Sequence, residues 1–167
     1  MMDPNLELVQ RYRSRGVLVD TNILLLYFVG RFKRQQIPHF KRTAQFAVGD
    51  YDLLDGFLSA FKRVVTTPNI LSEVNSLSGQ MGEPDRRQYF EEFAREIATL
   101  DERYVPSVGV SGTEAFQRVG LTDSGIMHLA RDGFLVLSDD LKLCGYLEKV
   151  GVDVLNFNHL RFIVWAG

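Results

Sequence analysis

The chain has almost no cysteine and no long apolar run, and each shortage excludes a class of protein. Cys144 is the single cysteine, so neither an internal disulfide nor a thiolate metal cluster can form. The longest aliphatic and aromatic stretch, Ile23 to Val29, is far shorter than the roughly 20 residues that cross a bilayer. The first residues also lack the basic and apolar regions of a signal peptide. We therefore expect a cytoplasmic protein with no membrane association.

Overall composition is typical of an ordinary globular protein. With 167 residues, 46% of them hydrophobic and 24% charged, the chain is long enough for one domain with a sizeable core over residues 1–167. The net charge of −2 identifies no class of partner, because a nucleic-acid-binding protein needs to be basic only locally. The distribution of charge along the chain is therefore more informative than its sum.

Short apolar runs that alternate with amphipathic segments predict an α/β fold. Runs of strand length lie at 17–19, 64–67, 134–137 and 152–155, with a weaker extended segment at 104–108 that contains Pro106. Helical spacing or helix-start signals mark a lead-in helix within 1–15 and further helices at 23–28, 50–63, 68–77, 84–100, 120–132 and 141–150. Because helices separate the strands, the crossovers should be parallel. The sequence thus predicts a three-layer α/β/α fold around a parallel sheet of about four or five strands.

Two threonines are predicted to begin helices. Thr67 precedes Pro68, which suits the first position of a helix, and Thr122 precedes an acidic residue and an apolar stripe. We expect both threonine hydroxyls to cap the helices that follow them.

Polar side chains follow the first strand directly. Asp20, Thr21 and Asn22 come straight after Val17–Val19, at the strand end where open α/β sheets bind their ligands. The same residue types are also the usual N-cap residues, so capping the next helix is an alternative role for Asp20.

Further acidic residues occupy comparable positions downstream. Glu73 lies in the helix after the second strand, Asp123 opens a later helix, and Asp139 and Asp140 follow another strand. The carboxyl ends of parallel strands share one edge of the sheet with the amino ends of the helices. We therefore expect these acids to converge with Asp20.

A group of carboxylates without adjacent Lys or Arg repels itself unless a cation neutralises it. Oxygen ligands favour hard divalent ions, so Mg²⁺ or Mn²⁺ is the expected cofactor. The three histidines of the chain are isolated from one another, and no His-Cys set favours zinc.

The segments that carry these acids resemble, in order, the PIN-domain family. They are Val-Asp-Thr-Asn, Pro-Asn-Ile-Leu-Ser-Glu-Val, Leu-Thr-Asp-Ser and Leu-Ser-Asp-Asp, and the resemblance extends from Gly16 to Phe157. Each motif is short, but the ordered set within an α/β pattern is fairly specific. Members of this family are metal-dependent nucleases, mostly of RNA, and include the toxins of many toxin–antitoxin pairs.

The resemblance implies roles for particular residues. It assigns the catalytic and metal-binding positions to Asp20, Glu73, Asp123 and Asp140, with Asp139 as the alternative to its neighbour. It assigns Thr21, Asn22 and Ser138 to orienting the acids. The implied activity is Mg²⁺- or Mn²⁺-dependent endonucleolytic cleavage of single-stranded RNA, with RNA preferred to DNA on family grounds alone. An antitoxin protein and a second copy of the chain, in a homodimer, are further partners that the resemblance allows.

Two other functions compete with this one. A catalytically silent PIN-like module would bind RNA or a protein partner, and its acids would serve as helix caps and weak metal sites. A phosphatase of the haloacid-dehalogenase type also has an Asp after its first strand, but it needs a second Asp two residues later, where this chain has Asn22.

A basic segment interrupts the pattern between the first two strands. The basic window, residues 31–42, holds five of the chain's 19 Lys and Arg residues and no acid, within an insertion over 30–63 that is longer than in the small toxins of the family. Basic residues interleaved with aromatic ones suit the backbone and bases of single-stranded nucleic acid. The predicted contacts come from Lys33, Arg34, Lys41 and Arg42. A solvated surface with no ligand is the alternative.

Overall fold

The centre of the protein is a sheet of five parallel strands. In the computed structural model, which describes residues 1–166 and the side chains of residues 1–163, the strands are β1 Val17–Val19, β2 Val64–Thr66, β3 Asp101–Glu102, β4 Leu135–Ser138 and β5 Val154–Asn156. Their spatial order is β3-β2-β1-β4-β5. Leu18 in β1 pairs with Val65 on one side and Val136 on the other. Helices flank the sheet, so the predicted three-layer α/β/α fold is confirmed.

The strand order creates a crevice at the middle of the sheet. From β1 the chain builds outward through β2 and β3 on one side, and it then returns to place β4 and β5 on the other. The neighbours β1 and β4 therefore form the topological switch point, where the connections leaving the two strands diverge. Ligands of open α/β sheets bind outside the carboxyl ends of the strands at such a point.

Nine helices lie in the described part of the chain. They are α1 Pro4–Tyr12, α2 Thr21–Lys33, α3 Val48–Leu58, α4 Pro68–Ser78, α5 Asp85–Ile97, α6 Ser107–Ser111, α7 Glu114–Ala130, α8 Leu141–Lys149 and α9 Phe157–Ala166. A single 3₁₀ turn, Arg34–Gln36, follows α2. No helix within residues 1–166 combines the length and apolar character needed to cross a membrane.

Helix α2 is the central packing element. Its residues Ile23 to Leu26, together with Phe28 and Val29, are all buried, as expected for a helix that is apolar on nearly every side. Its Phe28 ring lies 4.8 Å from that of Phe93 on α5, measured between centroids. At 13 residues the helix is about 20 Å long. Because α2 begins directly after β1, its first residue lies at the carboxyl edge of the sheet, and Lys33 at its other end lies far from that edge.

The third strand differs from the prediction. The extended segment expected at 104–108 is wrong, because β3 is the two-residue strand Asp101–Glu102, which pairs with Val65 and Thr66 of β2. Pro106 has no N–H for a strand ladder, and with a φ of −58° it leads into α6 instead.

One of the two predicted threonine caps is confirmed. Thr67 Oγ1 accepts a hydrogen bond from the Ile70 amide at 3.1 Å and so caps α4. The cap predicted at Thr122 is wrong, because the non-helical residue that separates the two segments of α7 is Gly120, where φ is +79°, and Thr122 lies inside the second segment. Glycine adopts that left-handed conformation without strain. The hydroxyl of Thr122 is consequently available to contact another element.

Close packing between α2 and α3 is tested by replacing Gly30 with alanine. A Cβ at Gly30 would overlap the buried ring of Tyr51. Overpacking of this kind destabilises a protein by about 1–3 kcal/mol, and we expect that loss for Gly30→Ala in urea unfolding.

The matched control is Gly56→Ala in α3. A Cβ there meets no atom of the described residues within 4 Å, and the position is exposed. Alanine should raise the free energy of unfolding by up to about 1 kcal/mol through helix propensity. Equal stability changes for the two variants would contradict the packing described for Gly30.

Candidate active site

An acidic pocket of about 590 Å³ opens at the carboxyl edge of the sheet. It is named here the acid pocket, and its lining residues are Asp20, Thr21, Asn22, Glu73, Leu77, Val119, Gly120, Leu121, Thr122, Asp123 and Asp140. Four of these are carboxylates, and they come from α4, α7 and the residues that follow β1 and β4. No Lys or Arg is among the described residues that line the acid pocket.

Asp20 joins the two central strands at their carboxyl ends. Its Oδ1 accepts a hydrogen bond from the Thr21 amide at 2.7 Å, and its Oδ2 accepts one from Ser138 Oγ at 2.6 Å. Asp20 therefore caps α2, which is the alternative role considered for it from the sequence. The same residue also lines the acid pocket. Burial raises the pKa of Asp20, although these two hydrogen bonds oppose the shift.

Glu73 is held in place by two threonines. Its Oε2 accepts a hydrogen bond from Thr21 Oγ1 at 2.8 Å, and its Oε1 accepts one from Thr122 Oγ1. The two donors belong to α2 and α7, so Glu73 links three helices across the acid pocket. The orienting role predicted for Thr21 agrees with this contact. The contact of Thr122 with Glu73 was not predicted, because the position of Thr122 before Asp123 indicated a helix cap. The sequence signal for the kink is Gly120, two residues earlier.

Asp123 also has a raised pKa in the acid pocket. Burial, followed by the charges of Asp20, Asp140 and Glu73, raises the pKa of its carboxyl to about 7. Four acids that are distant in sequence therefore interact electrostatically, which agrees with the predicted convergence. A carboxyl with this pKa carries a substantial share of protons near neutral pH.

The geometry separates Asp140 from Asp139. Asp140 lines the acid pocket and caps α8, because its Oδ1 accepts hydrogen bonds from the amides of Lys142 and Leu143 at 2.8 and 3.1 Å. Asp139 is absent from the pocket lining, and its carbonyl accepts a hydrogen bond from Asn158 Nδ2 at 3.3 Å. Burial raises the pKa of Asp139 as well. Of the two neighbours, Asp140 is the one positioned with the other three acids.

The carboxylates share a pocket without closing around one point. Within the described residues, no group of three or more His, Cys, Asp and Glu side chains is arranged to hold a metal ion. Hydrogen bonds from Ser138 and Thr21 fix the orientations of Asp20 and Glu73. The donor set itself fits a hard divalent cation, since it offers only oxygen and its negative charge is uncompensated. The chemistry for a cation site is present, but its ligands are not assembled.

The basic window does not line the acid pocket. Lys33 lies at the far end of α2, with its Nζ 3.9 Å from Asp85 Oδ1, and the neighbouring Arg34 is paired with Asp52. Arg42 donates from Nε to Gln80 Oε1 at 2.9 Å, and Lys41 is exposed. Three of the four residues predicted to hold nucleic acid therefore have other partners. A role of the basic window in binding stays a prediction.

No protein-family model matches the chain, and no curated protein matches it in sequence. A function must therefore be inferred from the residues and their geometry.

The raised pKa of Asp123 predicts how stability depends on pH. The folded protein holds this proton more tightly than the unfolded chain, whose pKa is near the ordinary 3.8. The contribution of Asp123 to the free energy of unfolding is therefore most favourable at low pH and becomes less favourable as the pH rises from about 4 to about 7. Asn mimics the neutral form, so Asp123→Asn should be more stable than the original protein above about pH 7, with the difference shrinking toward about pH 4. Urea unfolding in EDTA at several pH values measures this.

Asp132→Asn is the matched control, because Asp132 is exposed and lies outside the acid pocket. Its effect on the free energy of unfolding should change little over the same range. A pH-independent difference for Asp123→Asn would contradict the assigned electrostatic coupling.

Proposed function

We propose that the protein is a Mg²⁺- or Mn²⁺-dependent endonuclease of the PIN-domain kind that cleaves single-stranded RNA. The observation that carries the proposal is the acid pocket, in which Asp20, Glu73, Asp123 and Asp140 meet at the switch point of a parallel sheet. The ordered motifs that resemble the PIN-domain family contain the same four residues. The preference for RNA, and a role as a toxin with an antitoxin partner, rest on that resemblance alone.

The residues that would hold the cation are Asp20, Asp123 and Asp140, with Glu73 beside them. When bound, a divalent cation supplies Lewis acidity for attack of water on a phosphodiester. Asp123, with its pKa of about 7, would have to lose its proton to bind a cation, so occupancy should increase with pH.

Positioning of these acids comes from their hydrogen-bonded neighbours. Ser138 fixes one oxygen of Asp20, while Thr21 and Thr122 fix both oxygens of Glu73. Such partners orient ligand oxygens and limit the rearrangement that cation binding requires. Each of these carboxylate oxygens keeps a second lone pair for a ligand.

A second candidate is a catalytically silent module that binds RNA. The observation that favours it is that Asp20 and Asp140 both cap helices, and that the acids are not assembled around a cation position within the described residues. In such a module the acids would serve the fold, and nucleic acid would bind without being cleaved.

Cleavage distinguishes the two candidates. Single-stranded and duplex RNA and DNA are incubated with the protein in Mg²⁺, Mn²⁺ or EDTA. We expect internal cuts in single-stranded RNA, none in EDTA, and a loss of roughly 100-fold or more in Asp123→Asn, since even outer partners of a metal ligand affect activity by about 10–100-fold.

The control for cleavage is again Asp132→Asn, which removes an exposed carboxylate and should cut normally. Binding of RNA without cleavage in either metal would replace the nuclease proposal with the silent module.

Cation binding is measured separately by calorimetry and thermal unfolding. Saturation with Mn²⁺ at about 100 times its dissociation constant should stabilise the protein by about 2.7 kcal/mol. Asp20→Asn can keep a hydrogen bond to Ser138 and should fold, but it should bind Mn²⁺ much more weakly. Asp132→Asn should bind normally, and equal binding by all three proteins would exclude Asp20 as a ligand.

A further inference from the structure

A second groove adjoins the acid pocket, and we propose that it binds the backbone of a single-stranded nucleic acid. This basic groove, of about 580 Å³, lies between the first half of α7 and the outer face of α8. Its lining residues are Glu114, Arg118, Leu141, Lys142, Gly145, Tyr146, Lys149 and Val150. The inference deepens the proposed function and rests on it for the identity of the polymer.

The basic groove and the acid pocket are continuous along the chain at two places. On α7, Arg118 lines the basic groove, and the next residue, Val119, lines the acid pocket. At the start of α8, Asp140 lines the acid pocket, and Leu141 lines the basic groove. The Lys142 amide also donates to Asp140 Oδ1. A polymer held in the groove therefore lies directly beside the acids.

The cations of the basic groove are available for a ligand. Arg118, Lys142 and Lys149 are exposed, and none of them forms an ion pair with another described residue. Glu114 is the single acid among the described residues that line the groove, so three positive charges face one negative charge. Lys142 and Lys149 are seven residues apart on α8, which places them about 10 Å apart along one face of the helix. Such a row suits successive phosphates and neutralises their charge.

Apolar and aromatic residues line the basic groove together with these cations. Leu141 is 69% exposed and Val150 is 40% exposed. Tyr146 is partly buried and also lines the groove. An aromatic ring beside a row of cations is the combination that binds single-stranded nucleic acid, because bases stack on the ring while phosphates meet the charges. Duplexes keep their bases paired and would lose the stacking contact.

The basic groove also differs from the basic window in the state of its charges. Lys33 and Arg34 in the basic window already pair with acids, and the α2 helix carries them away from the acid pocket. The cations that lie next to the acids and have no acidic partner among the described residues belong instead to α7 and α8. Substrate contacts are therefore assigned to the basic groove.

Binding in EDTA tests the groove without requiring cleavage. A fluorescently labelled oligouridylate is titrated by anisotropy at several salt concentrations with the original protein and with the triple variant Arg118→Gln, Lys142→Gln, Lys149→Gln. We expect the affinity of the triple variant for oligouridylate to fall roughly tenfold or more. The slope of log affinity against log salt concentration should decrease in magnitude by about 2, since each phosphate contact on a single strand contributes about 0.7.

The matched control removes three positive charges elsewhere. Arg13, Arg15 and Lys62 are exposed and form no ion pair with other described residues, and they lie around the start of the strands, at the opposite edge of the sheet. Their joint replacement by Gln should leave the affinity and the salt slope close to those of the original protein. An equal loss in both triple variants would overturn the proposal, because it would reflect total charge alone.

Variants of Tyr146 distinguish the contribution of stacking to binding from the contribution of charge. Tyr146→Leu should weaken oligouridylate binding severalfold with an unchanged salt slope, whereas Tyr146→Phe should bind normally. Circular dichroism of each variant verifies the fold. Unchanged binding by Tyr146→Leu together with unchanged binding by the groove triple variant would overturn the proposal, as would the absence of oligouridylate binding by the original protein.

Failure of the basic groove and failure of the nuclease proposal are distinguishable. If the triple variant loses binding in EDTA and no protein cleaves RNA in Mn²⁺, the groove stands and the nuclease proposal fails. If the original protein cleaves RNA and the triple variant cleaves it with an unchanged KM, the nuclease proposal stands and the groove fails.

Discussion

The hydrogen bond from Ser138 Oγ to Asp20 Oδ2 is the contact on which the arrangement of the acid pocket depends. It spans the switch point between β1 and β4 and fixes a buried carboxylate at the mouth of the crevice. A buried polar group without a hydrogen-bond partner costs about 1–3 kcal/mol, and a charged group costs more. Because Asp20 and Ser138 follow and end neighbouring strands, keeping this bond keeps the two strand ends together. Ser138 Oγ also accepts a hydrogen bond from the Asp140 amide at 3.0 Å. One hydroxyl therefore positions two of the four acids.

Opposite charges are separated on this face of the protein. The acid pocket collects uncompensated carboxylates, and burial, followed by the charges of the neighbouring acids, raises the pKa of Asp123 to about 7. The adjoining basic groove carries cations that have no acidic partner among the described residues. An anionic polymer is attracted by the groove and repelled by the acid pocket unless a cation is bound there. This arrangement would make metal binding and substrate binding mutually favourable.

Local signals were sufficient for most of the sheet and helix elements. The apolar run that ends at Asp20 and the Thr67-Pro68 helix start are specified by short stretches of sequence, and both are confirmed. The third strand was misplaced because β3 is only two residues long, and a strand that short has no periodicity to detect. Helix α9, which begins directly after β5, was not predicted either.

By itself, the sequence determined the types and order of the acids, since strand ends and helix starts are local features of apolar periodicity and capping. Only the tertiary structure decided that β4 lies beside β1, that Asp140 rather than Asp139 lines the acid pocket, and that Thr122 holds Glu73. It also decided which cations form ion pairs within the described residues and which do not. These features depend on contacts between residues far apart in the chain, and no local pattern specifies which distant partner a side chain will meet.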